Sequence, residues 1–291
     1  MSHVDTRLNY SAALVFAVFV AMGAVWSFPD LFFLATISPI AFVIGVGIAL
    51  LLASIIYLVL SYSKLWQASP WWAVAAIVWG MTAPIMFAVF TSDAITEVIL
   101  DLNWEAAYSS FAGAWPEETG KGVGILLIIV MARNRFNRPW DGLFLGLFVG
   151  LGFELIENIQ YGFFGAIEHG NSDLLGVAGS WMNRLIIGGG LHMIFSAIVG
   201  FGLSYAISTP GLSLIKRIFA AFSGFGLGFG IHFAWNYESP EDIRLFLLMA
   251  LYVFGIFTVI LLWRISIKLA NNASQFQRQT QTVQVQADPT E

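Results

Sequence analysis

About eight stretches of this chain are long and apolar enough to cross a lipid bilayer, which constrains its fold more than any other feature. A hydrocarbon core needs about 20 apolar residues per helix, and the runs at roughly 10–28, 37–60, 71–91, 114–132, 140–166, 181–207, 214–237 and 243–264 supply them. Only 11% of the 291 residues are charged and 58% are hydrophobic, whereas a soluble domain carries about 25% charged residues. The expected fold is therefore an all-α polytopic membrane protein. Tyr10–Phe28 is too long for the apolar core of a signal peptide and reads as a retained first helix. Residues 1–270 read as one transmembrane domain with its core at 114–237. The Gln- and Thr-rich stretch 271–291 reads as a disordered tail.

The connections alternate in charge. Arg7, Lys64, Arg133 with Arg135 and Arg138, Lys216 with Arg217, and Lys268 with Arg278 occupy every second one. Asp30, then Asp93 to Glu105, then Glu168 and Asp173, then Glu238 to Asp242 occupy the others. The positive-inside rule places both termini in the cytoplasm. Asp93–Phe111 carries apolar residues on one side and acids at every fourth position on the other. It reads as an amphipathic helix on the outer surface, with a substrate-gating element as the alternative. No basic block points to nucleic acid. The absence of cysteine excludes disulfides, thiolate metal sites and a cysteine nucleophile.

Against this apolar background several ionisable residues lie inside spans: Glu117, Glu118 and Lys121; Glu154 and Glu157; His192; His232. Each costs at least about 2.5–3.5 kcal/mol to insert, so such residues usually belong to a site. Counting about 1.5 Å per residue from the cytoplasmic ends puts all four groups about 21–25 Å up, in one layer. Glu154 and Glu157 share a helix face at i, i+3. Glu117 and Lys121, and His232 and Asn236, do so at i, i+4. Glycines crowd the same helices and would let them approach closely.

A zinc protease of the HExxH type, a rhomboid-type serine centre and a presenilin-type aspartyl pair all lack their residues here. Carboxylate plus imidazole remains. A glutamate can take a proton from water while histidine or asparagine stabilises an oxyanion. The same groups can hold zinc.

The strings EETGK (Glu117–Lys121), GFELIEN (Gly152–Asn158), a histidine helix at His192 and HFAWN (His232–Asn236) resemble, in order, the motifs of the PrsW family of intramembrane proteases. These are relatives of the type II CAAX prenyl endopeptidases. The resemblance implies catalytic roles for Glu117, Glu118, Glu154, Glu157, His192, His232 and Asn236, with Lys121 as basic partner and Asn158 and Arg184 in support. It implies a metal or glutamate-type mechanism, with Glu154, Glu157, His192 and His232 as candidate ligands of a zinc ion. It further implies a prokaryotic plasma membrane and a single-pass membrane-protein substrate, such as an anti-sigma factor, cut near its outer face. Two other readings of the buried charges stay open: a proton relay in a secondary transporter, and a non-catalytic scaffold that binds a partner helix.

Overall fold

A computed structural model describes residues 9–287, and among them there is no β-strand. Arg7 lies outside the described residues, as do the side chains of Asp30 and Arg278. The helices are α1 (Tyr10–Ile37), α2 (Pro39–Ser61), α3 (Pro70–Asp101), α4 (Trp115–Met131), α5 (Asp141–Glu168), α6 (Asp173–Gly188), α7 (Leu191–Ser208), α8 (Leu214–Asn236) and α9 (Glu241–Ala287). Seven of them, all but α4 and α6, are long and apolar enough to cross a membrane. The chain is an integral membrane protein. Helices keep every backbone hydrogen bond internal, the condition lipid imposes. Prolines in the first turns of α2, α3 and α4 start those helices where a missing N–H is harmless. The loops at Lys64, at Arg133–Arg138 and before Lys216 share one face of the bundle, the basic face. Glu105, Glu168 and Glu238 mark the opposite, acidic face.

Helix α5 is the hub. In its central window 94% of residues are buried, against 11–17% in α1, α2, α8 and α9, which face outward. What packs around it is decided by glycine. Gly142, Gly146 and Gly150 stand at i, i+4 and i+8 on one face. A Cβ at these positions would lie 1.9, 2.0 and 2.2 Å from the carbonyl oxygens of Gly200, Ser196 and His192 on α7. Backbone therefore lies directly on backbone, and this register sets His192 beside the Phe153–Glu157 turn of α5. On the other face, a Cβ at Gly152 would lie 2.0 Å from Ile77 O, so α3 comes equally close.

Three expectations change. The predicted single span 181–207 is two helices, α6 and α7, broken at Gly189–Gly190. Gly190 has φ +85°, a conformation L side chains rarely adopt, and three consecutive glycines weaken the helix there. The predicted surface helix at 93–111 is not a separate element. Its first half continues α3 to Asp101, because nothing between Thr91 and Asp101 breaks a helix. The rest forms a 3₁₀ turn (Glu105–Ala107) and a π-helix (Ser110–Ala114) that leads into α4. The polar stretch from Asn271, expected to be disordered, continues α9 as far as Ala287.

Substitution of Gly146 by leucine is expected to force α5 from α7, at the cost of about 1–3 kcal/mol typical of overpacking. Gly230→Ala, where a Cβ meets nothing within 4 Å, is expected to be neutral. Thermal unfolding of the two purified variants in detergent checks the contrast.

Candidate active site

The site forms where helix ends meet. Glu117 and Glu118 sit in the first turn of α4, behind Pro116, where the π-helix Ser110–Ala114 passes into regular α-helix. Trp79 of α3 anchors that turn by donating Nε1–H to Gly120 O at 2.9 Å. One turn on, the Lys121 ammonium lies 2.9 Å from Glu118 Oε1 and 3.3 Å from Glu117 Oε2. It also lies 3.0 Å from His192 Nδ1 and 3.8 Å from the centroid of the Phe153 ring. Glu118 and Lys121 are wholly buried.

His192 is the second residue of α7. Its backbone N–H and that of Gly190 donate to the two oxygens of Glu154, at 3.3 and 2.5 Å. Glu154 thus caps the start of α7 from the middle of α5. The His192 ring reaches Glu157 Oε2 through Nε2 at 2.9 Å. Arg184, near the end of α6, bonds both Glu157 and Asn158, with its guanidinium 4.1 Å from the centroid of Tyr161. His232, in the last turn of α8, stacks on Phe195 and reaches Glu118 Oε1 through Nδ1 at 2.9 Å. Asn236 Nδ2 lies 3.3 Å from His232 Nε2. Ser110 of the π-helix donates to Phe233 O at 2.8 Å and ties α8 to the approach of α4.

The partners fix the ring tautomers. An ionised carboxylate only accepts hydrogen bonds, so His192 Nε2–H donates to Glu157 and His232 Nδ1–H donates to Glu118. The remaining nitrogens, His192 Nδ1 and His232 Nε2, carry lone pairs. They lie 3.9 and 3.8 Å from Glu117 Oε2, and these three atoms fall within 4.8 Å of one another. Glu117, Glu157, His192, His232 and Asn236 all face one cavity of about 520 Å³. Glu118 stands behind it.

The structure therefore gathers Glu117, Glu118, Lys121, Glu157, His192, His232 and Asn236 into one cluster, with Asn158 and Arg184 behind Glu157. It separates residues that spacing had left equivalent. Glu154 turns to backbone amides. The four candidate zinc ligands do not converge as a set; the trio that does is Glu117 with the two histidines. Phe195, which lines the cavity, and Tyr161 beneath Arg184 were not apparent from the sequence. Their positions three residues after His192 and four after Glu157 are the signal that would have found them.

A family model described as PrsW family intramembrane metalloprotease matches residues 68–263, about two thirds of the chain. No curated protein and no solved structure matches.

Removing the Glu154 carboxylate strands two buried N–H groups, each worth about 1–3 kcal/mol. Glu154→Ala is expected to lower the unfolding temperature clearly. Glu154→Gln, which keeps one acceptor, is expected to lower it less. Circular dichroism melts of both variants provide the check.

Proposed function

This chain belongs to the PrsW family of intramembrane metalloproteases, and on that premise we propose that it hydrolyses a peptide bond of a single-pass membrane protein inside the 520 Å³ cavity. One observation carries the reading. Each imidazole is held on one nitrogen by its own carboxylate, and the other, unprotonated nitrogens lie 3.9 and 3.8 Å from Glu117 Oε2, with Lys121 and Asn236 as their present donors. Carboxylate-supported histidines with a third oxygen donor are the donor set of a catalytic zinc site, which uses three protein ligands and keeps one position open. Charge supports the same conclusion. Four carboxyl groups (Glu117, Glu118, Glu154, Glu157) share the site with two cations, Lys121 and Arg184. Full ionisation of the four would leave two negative charges in a medium where unbalanced charge is costly, and a divalent ion would offset them.

Glu117, His192 and His232 would hold the ion. When bound, it supplies Lewis acidity toward the scissile carbonyl and makes water a nucleophile near neutral pH. The protein's own groups do the rest. Glu118 and Glu157 keep the rings oriented, and Lys121 balances the buried carboxylates. Asn236 Nδ2–H, at the cavity edge, is placed to donate to the oxyanion as water adds to the carbonyl carbon. Glu157, the carboxylate that faces the cavity without holding the ion, would accept the proton of the attacking water. That proton then passes to the departing amine nitrogen as the C–N bond breaks.

A second reading has its own support: the Lys121 ammonium already donates to the unprotonated His192 Nδ1 at 3.0 Å. In that arrangement Glu117 acts as general base on a water held by the two rings, without a metal. The charged loops support a topology with both termini in the cytoplasm and the acidic face outside. The substrate would then be cut in the outer half of the membrane.

The test compares membrane-protein fragments from cells carrying wild-type, Glu117→Gln or His232→Ala protein. One or a few single-pass proteins are expected to remain full length in both variants; identical fragment patterns would remove the proposal. Glu157→Gln, which loosens His192 and removes the proton acceptor, is expected to slow cleavage about 100-fold or more. The metal reading further expects 1,10-phenanthroline to inhibit the purified protein and added zinc to restore it. Full activity in chelator would leave the glutamate mechanism.

A further inference from the structure

Helix α7 stops short. It begins at Leu191, level with Glu154 of α5. From there α5 runs on for 14 more residues, about 21 Å, toward the acidic face. Over that length its partner is α6. A Cβ at Gly162 would lie 2.9 Å from the Trp181 ring, and one at Gly165 would lie 2.7 Å from Gly176 O. Helix α6 packs on α5 and α2, whereas α9 packs on α7 and α8, and the two hardly touch each other. Beyond the first turn of α7, then, no helix among the described residues fills the space between α6 and α9.

That space is the catalytic cavity. Asn183, Arg184 and Ile187 wall it on one side and Arg244 and Leu248 on the other. At its floor the Tyr252 hydroxyl of α9 donates to Gly189 O at 2.7 Å, beside the α6–α7 break. Next to these lining residues, on the outer edges of the opening, the helices are apolar and exposed: Met182 at 60% and Ile186 at 73% on α6, Leu245 at 64% and Met249 at 60% on α9. A gap with polar walls and apolar lips, continuous with the site, suits a chain that arrives through lipid and must unwind before it is cut.

We infer that the gap between α6 and α9 is the lateral port through which a single-pass substrate reaches the site, its membrane helix taking the place of the outer turns that α7 lacks. The inference rests on the hydrolase reading for its purpose but not for its test. The substrate's apolar turns lie between Met182 and Ile186 on one side and Leu245 and Met249 on the other. Its unwound residues enter the cavity, where Asn183 and Asn236 can satisfy exposed peptide groups that lipid could not. The carbonyls of the last turn of α6, which have no intrahelical partner, can do the same.

Photocrosslinking tests this without hydrolysis. Benzoyl-phenylalanine replaces Met182 or Leu245, one at a time, in the Glu117→Gln protein in liposomes. Lipid-facing controls at Val43 of α2 and Phe219 of α8, 68% and 73% exposed, are treated alike. The probe is a synthetic single-pass peptide, about 20 Leu and Ala residues followed by a flexible Gly-Ser-Asn segment. Capture at 182 and 245 is expected to exceed the controls by about tenfold, a preference of about 1.4 kcal/mol. Equal capture at all four positions, or more at the controls, overturns the port. The chain has no cysteine, so Met182→Cys with Leu245→Cys can be bridged by a reducible bis-thiol reagent. The bridge is expected to abolish capture by a benzoyl-phenylalanine at Leu248 and dithiothreitol to restore it; unchanged capture would also refute the port. Capture at the port by a protein that cleaves nothing in cells would sink the protease reading and leave the port standing.

Discussion

The ammonium of Lys121 holds this site together. It is wholly buried, and its hydrogen bonds go to Glu117, Glu118 and His192. Through Glu118 the same network reaches His232 on α8, and through His192 it reaches Glu157 on α5 and then Arg184 on α6. Five helices are thus joined by charge inside a largely apolar bundle. In lipid such groups persist only when paired, so each partner is a condition for the next. Removing one would strand a buried charge, a change that typically costs about 3–5 kcal/mol. The arrangement is rigid because its members cannot be solvated elsewhere.

Glycine makes that pairing reachable. The seam of Gly142, Gly146 and Gly150 lets α7 lie against α5 at backbone distance, and the break at Gly190 starts α7 at the level of the carboxylates. Two consequences follow from one break. His192 comes to a helix start, where Glu154 caps it, and the missing outer turns of α7 leave room for a cavity beside the charged cluster. Packing and chemistry are therefore set by the same few residues.

Much of this was legible in the chain. Apolar runs predicted an all-α membrane protein, and the buried Glu, Lys and His residues predicted a common layer, because hydropathy and helical rise need no tertiary information. Other features were not legible. A hydropathy window averages across Gly188–Gly190 and so merged α6 with the start of α7. Charge periodicity at 93–105 resembled a surface helix, although nothing there stopped α3. Spacing alone could not distinguish Glu117, which faces the cavity, from Glu118, which is buried behind it, nor show that Glu154 serves backbone amides while Glu157 serves an imidazole. Those distinctions depend on where a neighbouring helix begins. The prolonged α9 shows the same limit, since polar composition does not exclude a helix where no proline or glycine interrupts it.

The proposed ion would be held by His192 Nδ1, His232 Nε2 and one oxygen of Glu117. X-ray absorption at the zinc edge of the purified, zinc-loaded protein reads that ligand set. One ion per chain is expected, with a spectrum fitted by two imidazoles and oxygen donors at about 2.0–2.2 Å, and one imidazole fewer in the His232→Ala variant. No stoichiometric binding, or an oxygen-only shell unchanged by that substitution, would contradict it.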